Sequence, residues 1–216
     1  VRSMFPGGKI IQTCHGIYPD LEQPVAGVEH VSISQEVSTH LNSKGFGSTV
    51  IHNGIDCEVF SPLSPISPVP KKVFSLSQSD EFNQMMSEIC KKKNLEFSFN
   101  SKFTSPRIDI HNVIRESDLV FSLGRGAYES MACARSVIIA DKRQYQAGLM
   151  DGIVNSDNIS GYLENNCSGR KSQREVSKQA LIDEIEKYDP TQGIRNRQFA
   201  LTNLNIANQV EEYLKL

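Results

Sequence analysis

With 216 residues, 38% of them hydrophobic and 22% charged, the chain is long enough for one large or two small globular domains with a buried core. A formal charge of -2 leaves no global field to recruit nucleic acid or anionic lipid, and no run approaches the roughly 20 apolar residues of a membrane span. Five cysteines, without a C-x-x-C pair or Cys/His ligand spacing, argue against a disulfide scaffold or a zinc site and make a reducing cytosol the default compartment.

In chain order, Lys9 to Thr13 is a predicted strand running into Cys14-His15-Gly16, and Ile17 to Val28, with Pro19, Pro24 and Gly27, is a loop. His30 to Ser34 alternates Val31 and Ile33 with polar residues, a second strand. Ser34 then caps a helix in which Val37 and Leu41 share a face, closed by Gly45 and Gly47. Ser48 to His52 is a third strand, ending in Asn53-Gly54-Ile55-Asp56. This alternation implies a parallel sheet with right-handed crossovers. Ser61 to Pro70 carries Pro62, Pro65, Pro68 and Pro70, a density that neither feeds a sheet nor continues a helix, and reads as a linker.

Beyond it the alternation restarts. Lys72 to Ser77 is a strand, followed by a helix from about Asp80 to Lys93 capped by Ser79, with Phe82, Met85, Met86 and Ile89 as its buried stripe. The two methionines read as core filler. Lys91-Lys92-Lys93 is the one basic run, placed where cations complement a helix end. Leu95 to Phe99 is the next strand, and a polar loop through Pro106 leads to a short helix near His111 to Glu116.

Ser117 to Asp141 is the stretch that carries chemistry. Asp118 to Leu123 and Ser136 to Ala140 are short apolar strands, with helix formers from Ala127 to Ala134 between them. In an open parallel sheet the loop leaving such a strand opens into the ligand crevice, and the following helix points unpaired N–H groups there. Gly124 and Gly126 would let the backbone approach an anion, Arg125 would add a charge-assisted hydrogen bond, and Glu129 would accept from two sugar hydroxyls. That set points to a nucleoside diphosphate and its ribose. A plain tight connection and a solvated helix glutamate fit the same spacing. It is not a dinucleotide fingerprint, whose third glycine would fall at Glu129. After Asp141 the pattern loosens, with Gly148, Gly152 and Gly161 as turns. Arg174 to Tyr188 returns to helical spacing, Pro190 stops or restarts it, and a last helix is expected to bury Ile206, Val210, Tyr213 and Leu214.

Three stretches in order resemble the GT-B glycosyltransferases, particularly the family 4 group: Thr13-Cys14-His15-Gly16, the Val31 to Val37 strand-to-helix step, and Val50 to Pro62 with its Asn53-Gly54-Ile55-Asp56. The run from Gly124 to Ala132 resembles that group's donor site. The resemblance covers most of the chain and implies two facing Rossmann-like units. Residues 1–60 would be part of an acceptor-side segment, 61–70 a Pro-rich linker, and 71–188 the donor domain. Residues 189–216 would form a C-terminal helix packing back on the N-terminal segment. The chain begins at Val1 rather than methionine and shows no secretory leader, which reads as a fragment or processed product lacking the first part of the acceptor domain. Such an incomplete sheet is expected to favour self-association.

By the same resemblance, His15 matches a histidine that contacts the transferred sugar, whereas the residues by themselves favour a satisfied loop histidine. Glu129 matches the ribose-binding glutamate of a paired-glutamate motif, and Asn53 and Asp56 match an inter-domain turn. Two departures stand out. The first glutamate is missing where Phe121 to Leu123 stand, and the turn that should offer an arginine and a lysine to the diphosphate reads Ser75 to Asp80, leaving Ser77 there. The leaving group's charge would then fall to Arg125, to helix N-termini, or to Arg170 in Ser168-Gly169-Arg170, a residue that a solvated surface position also explains.

The implied reaction moves a glycosyl group from a nucleoside diphosphate sugar to an acceptor glycan or glycolipid hydroxyl in polysaccharide or glycoconjugate biosynthesis. It would proceed without metal or resident cofactor, in the cytoplasm or at the membrane periphery. A non-catalytic nucleotide-sugar-binding module of the same fold, or a nucleotide-sugar epimerase, would share these features.

Overall fold

The computed structural model describes residues 7–18, 22–100, 109–143 and 148–216. A first, three-stranded parallel sheet has the order β1-β2-β3, from β1 (Ile11–Cys14), β2 (Glu29–Ser32) and β3 (Thr49–Val50). Helix α1 (Gln35–Ser43) crosses from β2 to β3, and its N-cap Ser34 accepts from the Val37 amide at 3.3 Å. Val37 and Leu41, four residues apart, close with Cys14 and Ile33 over one face of that sheet.

The second sheet has six strands in the order β5-β4-β6-β7-β8-β9: β4 (Lys72–Ser75), β5 (Glu96–Phe99), β6 (Leu119–Ser122), β7 (Ser136–Ala140), β8 (Leu149–Ile153) and β9 (Arg174–Glu175). The first four are parallel, with α2 (Asp80–Lys92), α3 (Ile110–Glu116) and α4 (Arg125–Ala132) as crossovers. Side-chain alternation splits the sheet into two cores. Val73, Leu119, Phe121 and Ile138 point to the face covered by α2 and by α6 (Lys178–Glu186). Phe74, Val120, Val137 and Ile139 point to the other, covered by α3, by α4 and by Ala200 of α7 (Pro190–Asn203). Both faces of these strands are buried, which explains why they read as unbroken apolar runs.

The proline-rich stretch is strapped down. Arg115 donates from Nε to the Ser61 carbonyl at 2.7 Å, Arg197 from Nη1 to the Phe60 carbonyl at 2.6 Å, and buried Arg135 from Nη2 to the Ser64 carbonyl at 2.8 Å. Asp118 accepts from the Ser67, Lys71 and Lys72 amides. Prolines leave their neighbours' carbonyls without helix or sheet partners, and guanidinium forks supply the donors.

Four sequence expectations change. The second sheet is not wholly parallel, because β8 runs antiparallel to β7, and β9 to β8; such neighbours need no crossover helix, and Asp151 and Gly152 hide β8 from a propensity reading. Helix α5 (Ile159–Glu164) lies where only turns were expected. Arg174 and Glu175 are strand, so α6 starts later, capped by Ser177. The single last helix is two: α7, and α8 (Ile206–Leu214), whose Ile206, Val210 and Leu214 are exposed rather than buried. Here α8 is tied to the first sheet's unit by the Ile206 amide donating to the Ile55 carbonyl at 2.9 Å and by Tyr213 Oη beside Thr13 Oγ1, also at 2.9 Å. The loop expected through Pro106, and Pro19, lie outside the described residues. No helix among the described residues is long and apolar enough to cross a membrane.

Candidate functional site

In an α/β sheet the connections beyond the carboxyl ends of parallel strands form the crevice, above all where strand order reverses. That reversal lies between β4 and β6, since β5 pairs on the far side of β4. The first sheet's strand ends face the same space. A cavity of about 500 Å³ occupies it, a size suited to a small ligand. His15 and Gly16 follow β1, Ile33 follows β2 and Asn53 follows β3; Leu123, Gly124 and Arg125 follow β6, and Arg143 follows β7. Asn166, Ser168 and Arg170 come from the loop between α5 and β9.

The turn holding His15 is pinned from within the first unit. Glu22 Oε2 accepts from the His15 amide at 2.6 Å and the Gly16 amide at 3.1 Å, leaving the imidazole exposed at the cavity wall. On the opposite wall Gly124 caps α4 at φ 56 and ψ -131, a conformation that glycine tolerates and side chains do not. Its amide donates to the Cys167 carbonyl at 3.0 Å. Gly126 does not line the cavity. A Cβ there would strike Ser122 Oγ and Leu76, so this glycine lets the first turn of α4 sit on the end of β6. Asn166 stands over Gly124, its Nδ2 3.4 Å from where a Cβ on that glycine would lie, and Tyr128 Oη donates to its Oδ1 at 2.9 Å.

Three arginines line the cavity, each with a carboxylate. Arg125, exposed for most of its side chain, donates from Nε to Glu129 Oε1 at 2.9 Å. Arg143 donates from Nε to buried Asp141 Oδ2 at 2.6 Å. Arg170 donates from Nε to Glu36 Oε1 at 2.7 Å and from Nη2 to Glu36 Oε2, and its guanidinium lies 5.8 Å from the centre of the Tyr18 ring. Burial lowers the Arg170 pKa, but the hydrogen bonds and charge of Glu36 outweigh it and hold the group more firmly protonated than usual. Glu129 behaves otherwise: burial dominates the opposing effect of Arg125 and raises its carboxyl above the ordinary range.

Of the residues singled out from sequence, His15, Gly124, Arg125 and Arg170 therefore come together on one cavity. Glu129 sits one helical turn behind, 14% exposed at its side chain and turned to Arg125 rather than to bulk water. Ser77 is not at the cavity wall; its buried hydroxyl donates to Asp141 Oδ1, in a network with Ser75 and Asn83 that closes the end of β4. The stretch where a first glutamate was expected, Phe121 to Leu123, is buried throughout, with Phe121 edge-on to Phe82 at 5.8 Å and Leu123 at the cavity wall. Asp56 accepts from the Glu58 and Val59 amides at 3.0 Å, a local turn cap, whereas Asn53 reaches the cavity. Sequence reasoning missed Arg143, Asn166, Tyr18 and Glu36. Arg143 could have been found by its place just past a strand's carboxyl end; the loop holding Asn166 carries no periodic signal.

No protein-family model and no curated protein matches this sequence. Among solved structures, that of TarM superposes with a TM-score of 0.52 at 12% identity, over 95% of this chain and 54% of its own. A point mutant of S. aureus TarM in complex with Fondaparinux, alpha-GlcNAc-glycerol and UDP gives a TM-score of 0.49 at 10% identity, over 87% and 43%. The chain thus spans about half the length of the solved structures it resembles. The architecture, Rossmann-like units of helices on mostly parallel sheets, matches the fold of that TarM structure.

Proposed function

We propose that this chain is the donor-binding portion of a glycosyltransferase of the family 4 type, holding a nucleoside diphosphate sugar and passing its glycosyl group to an acceptor hydroxyl of a glycan or glycolipid. The observation that carries the reading is the convergence of Gly124 at the α4 N-terminus, Arg125, Arg143 and Arg170 on one cavity, with His15 facing them from the first unit. Amides at a helix start, with guanidinium forks beside them, suit a diphosphate. In this reading Arg125 swings to the phosphates on binding, which is cheap for an exposed side chain, and releases Glu129 to accept from the ribose hydroxyls. His15 meets the transferred sugar, and Ser77 acts by holding Asp141 in place. The reaction needs no nucleophilic triad: the diphosphate leaves as the anomeric bond loosens, stabilised by charge and positioning, without metal. The protein would work in the cytoplasm, in part at the membrane surface.

Calorimetry with UDP, GDP and ADP tests this directly. At least one should bind, and Glu129→Ala should weaken it about tenfold, the cost of one charge-assisted hydrogen bond pair. If none of the three binds, the reading is wrong.

The buried stretch Phe121 to Leu123, without a carboxylate, and Ser77 turned inward favour a second reading, a module that binds nucleotide sugar without turning it over. Release of nucleoside diphosphate from a bound donor, with and without acceptor, separates the two, and conversion of the donor to an isomeric nucleotide sugar without acceptor would indicate an epimerase.

A further inference from the structure

The three cavity arginines are not equivalent. Arg125 and Arg143 pair with carboxylates four and two residues away, on their own unit. The Arg170 partner, Glu36, is 134 residues distant, in the first turn of α1 on the other sheet's unit. The contact is two-pronged, Nε to Oε1 and Nη2 to Oε2, and both side chains are only 16% exposed. Asn165 Nδ2 donates to the same Glu36 Oε1 at 3.1 Å, and the Tyr18 ring lies against the guanidinium. The Nε/Nη2 edge of Arg170, one of the two edges by which a guanidinium grips a phosphate in a fork, is thus engaged by a carboxylate of similar bite, and Nη1 is turned to Tyr18 Oη at 3.5 Å.

We propose that Glu36 is an internal counter-anion, occupying Arg170 in place of the ligand's diphosphate and giving it up when the ligand binds. This rests on the reading of the cavity as a diphosphate site and adds what sets its affinity. Partly withdrawn from water, the pair is weakly screened, so an incoming anion must compete with Glu36 rather than with solvent. Because the two partners belong to different units, release of Glu36 also loosens one tie between them, so binding and the contact between units are linked reciprocally. Glu36 thereby disfavours weak or singly charged anions and favours ligands whose remaining contacts, to the start of α4 and to the Arg125 side chain, offset the lost pair.

Glu36→Gln keeps the shape and the acceptor for Asn165 while removing the charge. Wild type, Glu36→Gln, Arg170→Ala and the double variant are titrated calorimetrically with UDP, GDP, ADP and inorganic pyrophosphate, with thermal melting to confirm folding. Glu36→Gln should bind pyrophosphate and the accepted nucleoside diphosphate about tenfold tighter. Arg170→Ala should bind more weakly, and adding Glu36→Gln to it should gain nothing. If wild type binds and folded Glu36→Gln gains nothing or loses affinity, or if the gain persists without Arg170, the counter-anion role is overturned while the diphosphate reading stands. If no variant binds any of the four, both fall. Should Glu36→Gln not fold, Glu36→Asp, whose shorter carboxylate loses the two-pronged grip, is read in the same way: a smaller gain supports the proposal and none overturns it.

Discussion

Gly124 concentrates the site's dependence on single residues. At φ 56 and ψ -131 it holds a conformation that an L side chain enters only at about 1–3 kcal/mol, and an added Cβ would come to 3.4 Å from Asn166 Nδ2. Gly124→Ala should therefore lower the free energy of unfolding by about that amount in a denaturant titration and displace the start of α4, weakening nucleotide binding as well. The glycine turn was legible because strand, glycine and helix formers are adjacent in the chain. What Glu129 and Ser77 face was not. Ser77 is decided by Asp141, 64 residues away, and Glu129, though paired with Arg125 on its own helix, by the burial that tertiary packing imposes on it.

At the scale of elements, α2 shows how far local rules reach. Ser79 caps it, accepting from the Phe82 amide at 3.2 Å, and Phe82, Met86 and Ile89 are buried at helical spacing. Ser79→Ala should cost about 1 kcal/mol, read as a shift of the urea midpoint with an unchanged slope. Helix α8 has an equally regular stripe, yet Ile206, Val210 and Leu214 are 46%, 49% and 75% exposed. Amphipathic spacing says which face wants a partner and nothing about whether one is supplied. The antiparallel β8 escaped for the opposite reason: its pattern is broken by Asp151 and Gly152, and its place comes from pairing with β7.

For the whole molecule, the exposed stripe of α8, beside a first sheet of three short strands, should drive association between copies of this chain. Light scattering over a concentration series should show a mass that rises with concentration. Val210→Glu with Leu214→Glu should flatten that rise without lowering the melting temperature; a constant monomer mass in the unaltered chain would contradict the expectation. The linker behaves differently from its composition. Arg115, Arg135 and Arg197 hold the carbonyls of Ser61, Ser64 and Phe60, so a segment that reads as a linker is fastened to the second sheet's unit.

The chain alone determined the parallel strands of the second sheet, the first helix caps and the glycine turn, because each depends on residues within a few positions of one another: short apolar runs in β6 and β7, Ser34 and Ser79 before helices, glycine before α4. Only the tertiary structure decided which arginines share a cavity and which carboxylate each one meets. The pairing of Glu36 with Arg170 spans 134 residues, and no local propensity encodes a contact whose geometry is set by how two separate sheets are brought to face each other.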